Sequence, residues 1–457
     1  MRCKTLKSKT LKTSLLLAFI VLIGLIGANA ALSSEKVILD SDMVELFDDG
    51  VAMLMLANHP NIDLLGVTVV AGNQWLQDGL SAGVRQLELT GLEDIPIIAG
   101  ARWPMRTGRY QAVAPLEITG LEWSGYERTL FGMGVSTYAG AFSSWGHKEP
   151  VDPSPELGWK TVYKTNYAED PQYDLKKDAR KGFSGKYQHA SDFIVEMVNK
   201  YPGEVIIVAI GPCTNLQMAV MQDPTIVPKV KKVIYMGGAV NVAGNTTPAA
   251  EFNWWFDPEA ARFAVRTPWG KTDSKEDKIT QYVVPLDVCE KLHFTPKEYE
   301  KIVNLPGINP GIKAMFEKNY ASFAAPNSTE DSYVWDAITA GVLIGEINND
   351  DIVLPYDDDL SKTGYFDWWI DVNVDYNIDY GRSPGYKNLG PVGTQKVRVI
   401  NTVNAEKFWN LVYSGLDPTY DANSEKTQRS AGGGCSAVSL GILGAALCLM
   451  PIFFRKR

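Results

Sequence analysis

Val37-Ile38-Leu39-Asp40-Ser41-Asp42-Met43-Val44-Glu45-Leu46-Phe47-Asp48-Asp49-Gly50-Val51-Ala52-Met53-Leu54-Met55-Leu56 is the stretch that decides the fold. A short apolar run ends in two carboxylates. Six residues after Asp42 a second acidic pair opens an apolar segment long enough for a helix, Asp49–Ala57. Short apolar runs then alternate with helical patterns along the chain. The pattern predicts strands at Val37–Leu39, Leu65–Ala71, Ile95–Ala99, Val205–Ile210, Val233–Met236, Tyr282–Leu286 and Val397–Thr402. It predicts helices at Asp49–Ala57, Asp78–Leu89, Ala190–Lys200, Thr214–Met221, Asp257–Val265, Trp335–Ile347 and Ala405–Leu416. Such alternation implies an α/β fold: an open, mainly parallel central sheet with helices on both faces and a Rossmann-like core. Ligands of such sheets bind beyond the carboxyl ends of the strands, so the chemistry is expected just after each apolar run.

Outside this core the chain changes character. Residues 1–30 carry Arg2, Lys4, Lys7, Lys9 and Lys12, then an apolar run and Ala28-Asn29-Ala30, which reads as a cleavable signal peptide. The catalytic domain is assigned to 31–416, with an insertion at 102–188 that is rich in aromatics and poor in periodicity. Residues 417–431 are polar and read as a linker. Residues 432–457 combine three glycines, a mostly apolar stretch and Arg455-Lys456-Arg457. That tail has two readings: a retained membrane helix, or a tail resembling the bacterial Gly-Gly sorting segments cut by membrane proteases. Either way the protein is expected to be exported to the cell envelope or surface.

Setting aside the eight cations of the two ends takes the formal net charge from -9 to -17 for residues 31–454. So acidic a body repels phosphate backbones, which argues against nucleic-acid binding and for a neutral small substrate. Of the five cysteines only Cys213 and Cys289 fall in the body, where one bridge between them is a permitted pairing. The four histidines have no zinc-ligand spacing.

Asp40, Asp42, Asp48 and Asp49 repel one another unless a cation intervenes. Oxygen donors without histidine or thiolate select calcium or magnesium, and a flexible carboxylate and carbonyl set favours calcium. Helix capping accounts for Asp48 and Asp49 but not for Asp40 and Asp42 at a strand end. Further turns follow other strands: Gly72-Asn73, Gly211-Pro212-Cys213-Thr214-Asn215, and Gly237-Gly238 leading to Asn245, Glu251-Phe252-Asn253 and Asp257-Pro258-Glu259-Ala260.

Taken in order, these motifs resemble the inosine-uridine-preferring nucleoside hydrolase family from about Val37 to Leu416, with 102–188 outside the match. The resemblance implies hydrolysis of the N-glycosidic bond of a small-molecule ribonucleoside. It implies Asp42 as the general base, and Asp42, Asp49, the Thr214 carbonyl and Asp336 as Ca2+ ligands. It sets Asp48, Asn73, Asn245, Glu251, Asn253 and Asp336 around ribose and water, with Asp40 in support. It also implies a homo-oligomer, since members are commonly dimers or tetramers. Val44, Glu45 and Leu46 depart from the Gly, Asn and Asp usual in this form of the acidic loop. Trp335 stands where some members carry a histidine that protonates the leaving base. Indole cannot do that, but it can stack on the base or simply pack in the core. His293 reads better as a surface histidine than as a donor. Two rival functions stay open: a non-catalytic surface protein that binds nucleoside or ribose, and a hydrolase of another N-riboside.

Overall fold

The computed structural model describes residues 34–46, 48–74, 76–102, 104–106, 189–272, 278–375 and 377–422. The leader, nearly all of the insertion and the tail lie outside them. Residues 421–457 separate from the rest as a second unit, of which only Asp421 and Ala422 are described. Among the described residues no helix is long and apolar enough to cross a membrane.

In chain order the elements are β1 (Glu35–Ser41), α1 (Asp48–Ala57), β2 (Ile62–Val69), α2 (Leu76–Thr90), β3 (Ile97–Ala99), α3 (Ala190–Lys200), β4 (Val205–Ala209), α4 (Thr214–Gln222) and β5 (Lys232–Met236). There follow α5 (Phe252–Phe256), α6 (Pro258–Arg266), β6 (Gln281–Val284), α7 (Leu286–Cys289), β7 (His293–Phe294), α8 (Pro296–Val303), α9 (Pro310–Asn319), β8 (Ser332–Tyr333) and α10 (Asp336–Ile347). The chain closes through β9 (Tyr365–Ile370), β10 (Gly385–Tyr386), β11 (Gln395–Ile400) and α11 (Ala405–Leu416). Each predicted strand and helix has a counterpart, with bounds shifted by a few residues.

Nine strands form one sheet in the order β10-β9-β11-β6-β5-β4-β1-β2-β3, and the seven from β11 to β3 run parallel. The sheet is thus mainly parallel, as expected, but β9 pairs antiparallel with both β11 and β10. Alternation along β1 divides the core. Val37 and Leu39 join one apolar layer with α1, α10 and α11, while Ile38 joins the opposite layer with α3, α4 and α6. The chain leaves β1 toward β2 and β3, then returns to β4 on the other side. The point where strand order reverses therefore lies between the carboxyl ends of β1 and β4, which is where such sheets open a crevice for ligands.

Cys213 and Cys289 are both buried and both free, so the permitted bridge is not made. They sit after β4 and after β6, where each packs as a small apolar residue.

Candidate active site

Asp40 and Ser41 end β1 at the reversal point and Asp42 follows directly, and all three are fully buried. Asp40 faces the α4 side. Its Oδ1 accepts from Thr68 Oγ1 of β2 at 2.5 Å and from Asn215 Nδ2 of α4 at 2.8 Å. Asn215 Oδ1 in turn accepts from the Ala101 amide at 2.8 Å, so one carboxylate ties together the ends of β1, β2, β3 and β4. Burial pushes its carboxyl up to about 7 against the two hydrogen bonds.

Asp42 lies at the centre. Its Oδ2 accepts from the Asn73 amide at 2.5 Å, while its buried Oδ1 has no hydrogen-bond partner. Two glycines press on it from neighbouring strand ends. A Cβ on Gly72 would stand 2.2 Å from Asp42 Oδ2, and one on Gly211 would stand 2.6 Å from the Asp42 amide. Burial, then the charge of Asp49, raises the Asp42 carboxyl well above the usual carboxylate range.

The second acidic pair opens α1. Asp49 Oδ1 accepts from Ser41 Oγ at 2.5 Å, and its Oδ2 is buried and unpartnered. Burial raises it to about 6. Asp48 adopts a left-handed backbone (φ +28°), unusual for a non-glycine residue, and its Oδ1 accepts from the amides of Asp336 (2.6 Å) and Trp335 (3.3 Å). That clip holds the start of α10, and so Asp336, beside α1. Asp336 is buried, and its carboxyl is raised first by burial and then by Asp48, Asp49 and Asp42. The structure thus brings carboxylates from two distant parts of the chain into mutual electrostatic range.

The far wall comes from β5 and α5. Asn253 Nδ2 donates to the carbonyls of Ile210 (3.0 Å) and Met236 (3.3 Å), bridging the ends of β4 and β5, and its buried Oδ1 is unpartnered. Glu251 caps α5. Its carboxylate accepts from the amides of Asn253 (2.7 Å), Gly238 (2.9 Å) and Trp254 (3.0 Å), and burial raises it to about 7. Asn245 is exposed, and its Oδ1 accepts from the Phe252 amide at 3.0 Å. Glu251 and Asn245 therefore already hold the loop that delivers Asn253.

Thr214 opens α4, buried, with its hydroxyl donating to Asp257 Oδ2 at 2.6 Å. Asp257 also accepts from the Met105 amide at 2.9 Å and caps α6 through the Ala260 amide. The first described residues of the insertion are thereby fixed to this wall. Trp335 is partly buried against the core. Its ring meets Tyr333 edge-to-face at 6.0 Å, and its buried Nε1 has no partner. His293 is half-buried in β7, with Nδ1 2.9 Å from the Asp331 carboxylate.

The donor chemistry around Asp42 suits a hard cation. Asp42 Oδ1, Asp49 Oδ2 and Asn253 Oδ1 are buried oxygens that nothing satisfies, and such groups are costly without a partner. Burial raises the thiols of Cys213 and Cys289 well above their usual value. Among the described residues, however, no three His, Cys, Asp or Glu side chains are arranged to hold an ion by themselves.

Sequence reasoning gives no individual role to Ser41, Thr68, Gly72, Gly211, Asn215 and Asp257. Thr68 is the legible signal, a polar residue in the otherwise apolar, buried carboxyl half of β2.

Fold and site together define an α/β enzyme with an acidic, oxygen-lined site at the reversal point of its sheet. Residues 37–410 match the family described as inosine-uridine preferring nucleoside hydrolase, and the chain belongs to that family. It is a nucleoside N-ribohydrolase family enzyme. The chain is 29% identical over 382 residues to the pyrimidine-specific ribonucleoside hydrolase RihB of Escherichia coli, covering 83% of this chain and 96% of that protein. It is also 29% identical over 309 residues to protein C1683.06c of Schizosaccharomyces pombe, covering 66% of this chain and 79% of that one. Among solved structures it resembles the plant nucleoside hydrolase PpNRh1 at a TM-score of 0.57 and 24% identity, over 84% of this chain and 99% of that chain. This last likeness speaks to the fold.

Proposed function

We propose that this protein is an exported, calcium-dependent hydrolase that cleaves ribonucleosides to ribose and free base, with Asp42 as the general base. The observation that carries the reading is the group of unsatisfied buried oxygens on Asp42, Asp49 and Asn253 at the reversal point of the sheet. Asp42, Asp49, Asp336 and the Thr214 carbonyl would hold calcium, and when bound it supplies positive charge that polarises an attacking water. Asp42 takes the proton of that water.

Cleavage of an N-riboside builds positive charge on the sugar, and the surrounding carboxylates are preorganised to stabilise it. Asn253 Oδ1 is free to accept from a ribose hydroxyl. Asp48, Asn73 and Asp336 would line the ribose from the α1, β2 and α10 ends, while the side chains of Glu251 and Asn245 bond the backbone around Asn253. Trp335 offers a ring for the base. Export follows from residues 1–30, and attachment or sorting at the envelope from residues 432–457. A homo-oligomer agrees with the habit of the family. The test is release of ribose from a panel of purine and pyrimidine nucleosides by the purified protein. Activity should vanish in chelator and return with calcium, and activity that ignores chelator would defeat the calcium reading. Mass spectrometry of protein from the native envelope reads both ends: an intact N-terminus would defeat the signal-peptide reading, and a peptide through Arg457 the sorting reading.

A further inference from the structure

The loop from Asp42 to the Asp48-Asp49 pair is fastened by helix α2. Gln86 of α2 is fully buried, and its amide serves two backbone groups of that loop. Oε1 accepts from the Leu46 amide at 3.2 Å, and Nε2 donates to the Val44 carbonyl at 3.3 Å, with a further bond to Ala82 in its own helix. Gly50 in α1 leaves room for this amide, since a Cβ there would stand 1.9 Å from Gln86 Oε1. Beside it, Arg85 Nη1 pairs with Glu45 Oε1 at 2.8 Å, with side chains 6% and 15% exposed. Three consecutive loop residues are thus held by two neighbouring residues of one helix.

A turn that merely connected β1 to α1 could leave these groups to water. Burying an ion pair and a primary amide to satisfy them is costly unless the loop geometry matters. What that geometry governs is the relation of Asp42 at one end to Asp49 at the other. We propose that Gln86, with the Arg85–Glu45 pair, is a positioning device for the acidic site: it fixes the spacing of Asp42 and Asp49 and so sets the affinity for the cation. The inference rests on the calcium reading above.

The test is calorimetric titration of calcium into the purified full-length protein, alongside thermal unfolding in excess calcium. Gln86→Leu keeps the volume and removes the amide, leaving two backbone groups unserved. It should weaken calcium binding about tenfold. Glu45→Gln should weaken binding by a smaller factor in the same direction. Where Gln86→Leu does not fold, Gln86→Glu gives the same comparison, because it keeps an acceptor for Leu46 and loses the donor to Val44. Wild-type affinity in these variants, with only a lowered unfolding midpoint, would overturn the inference alone and leave Gln86 a packing residue. Failure of the wild-type protein to bind calcium would overturn both it and the reading on which it rests.

Discussion

Ser41 donates its hydroxyl to Asp49 Oδ1 at 2.5 Å, joining the last residue of β1 to the first turn of α1. The bond occupies one carboxylate oxygen and leaves Oδ2 unpartnered, and it opposes the burial that raises Asp49 to about 6. Ser41→Ala should therefore make Asp49 harder to ionise and weaken calcium binding about tenfold, in line with loss of one hydrogen bond to a charged group. Calorimetric titration at neutral pH reads the change. Unaltered affinity would mean that the bond does not prepare Asp49 for a ligand role.

Gly72 matters for space. A Cβ at this position would come 2.2 Å from Asp42 Oδ2, so Gly72→Ala must displace the carboxylate or the loop that carries Asn73. The chain should still fold, since Gly72 lies beyond the end of β2 and not inside the sheet. Misplacement of a reacting group by about 1 Å typically costs on the order of a hundredfold in rate. The expected result is a loss of that order in kcat for ribose release with a nearly unchanged unfolding midpoint. Retention of full activity would show that Asp42 is not held by this contact.

Glu251 gives a pH signature. Burial lifts its carboxyl to about 7 from an ordinary value of 4.5, against three backbone amides that favour the ionised form. The folded chain therefore holds this proton more tightly than the unfolded chain does. Its contribution to stability is full below about 4.5 and is lost as pH rises through about 7. Glu251→Gln cannot titrate. Denaturant unfolding at pH 5 and pH 8 should show a smaller fall in stability for the variant than for wild type. An equal fall in both would remove Glu251 as the source.

Much of the fold is legible in the residues themselves. The β1 segment combines apolar alternation with carboxylates at its end, so strand, turn and helix can be placed from residues 37–57. The parallel strands β4 and β5 are short unbroken apolar runs, as strands buried on both faces must be. The antiparallel strand β9 escapes such a reading. Tyr365–Ile370 mixes aromatics with Asp367, whose partner Arg398 lies across the ladder on β11, and no local pattern announces a partner 31 residues away. Helices α8 and α9 escape it too, although each begins with proline after a capping-type residue, Thr295 or Asn309. At the site, the motifs draw attention to Glu251 and Asn245 for ribose, whereas their side-chain oxygens bond the backbone around Asn253. The clamp by Gln86 is likewise hidden, because a lone glutamine in an amphipathic helix reads as surface.

The central claim is that Asp42 takes the proton of the attacking water. It is tested most directly by the rate of ribose release from a ribonucleoside by Asp42→Asn in saturating calcium. The amide keeps the shape of the side chain and a carbonyl oxygen toward the Asn73 amide, but it cannot accept a proton. The account predicts a fall of about a hundredfold or more in kcat, in a protein that still unfolds cooperatively and still binds calcium, though more weakly. A rate near that of the wild type would contradict it.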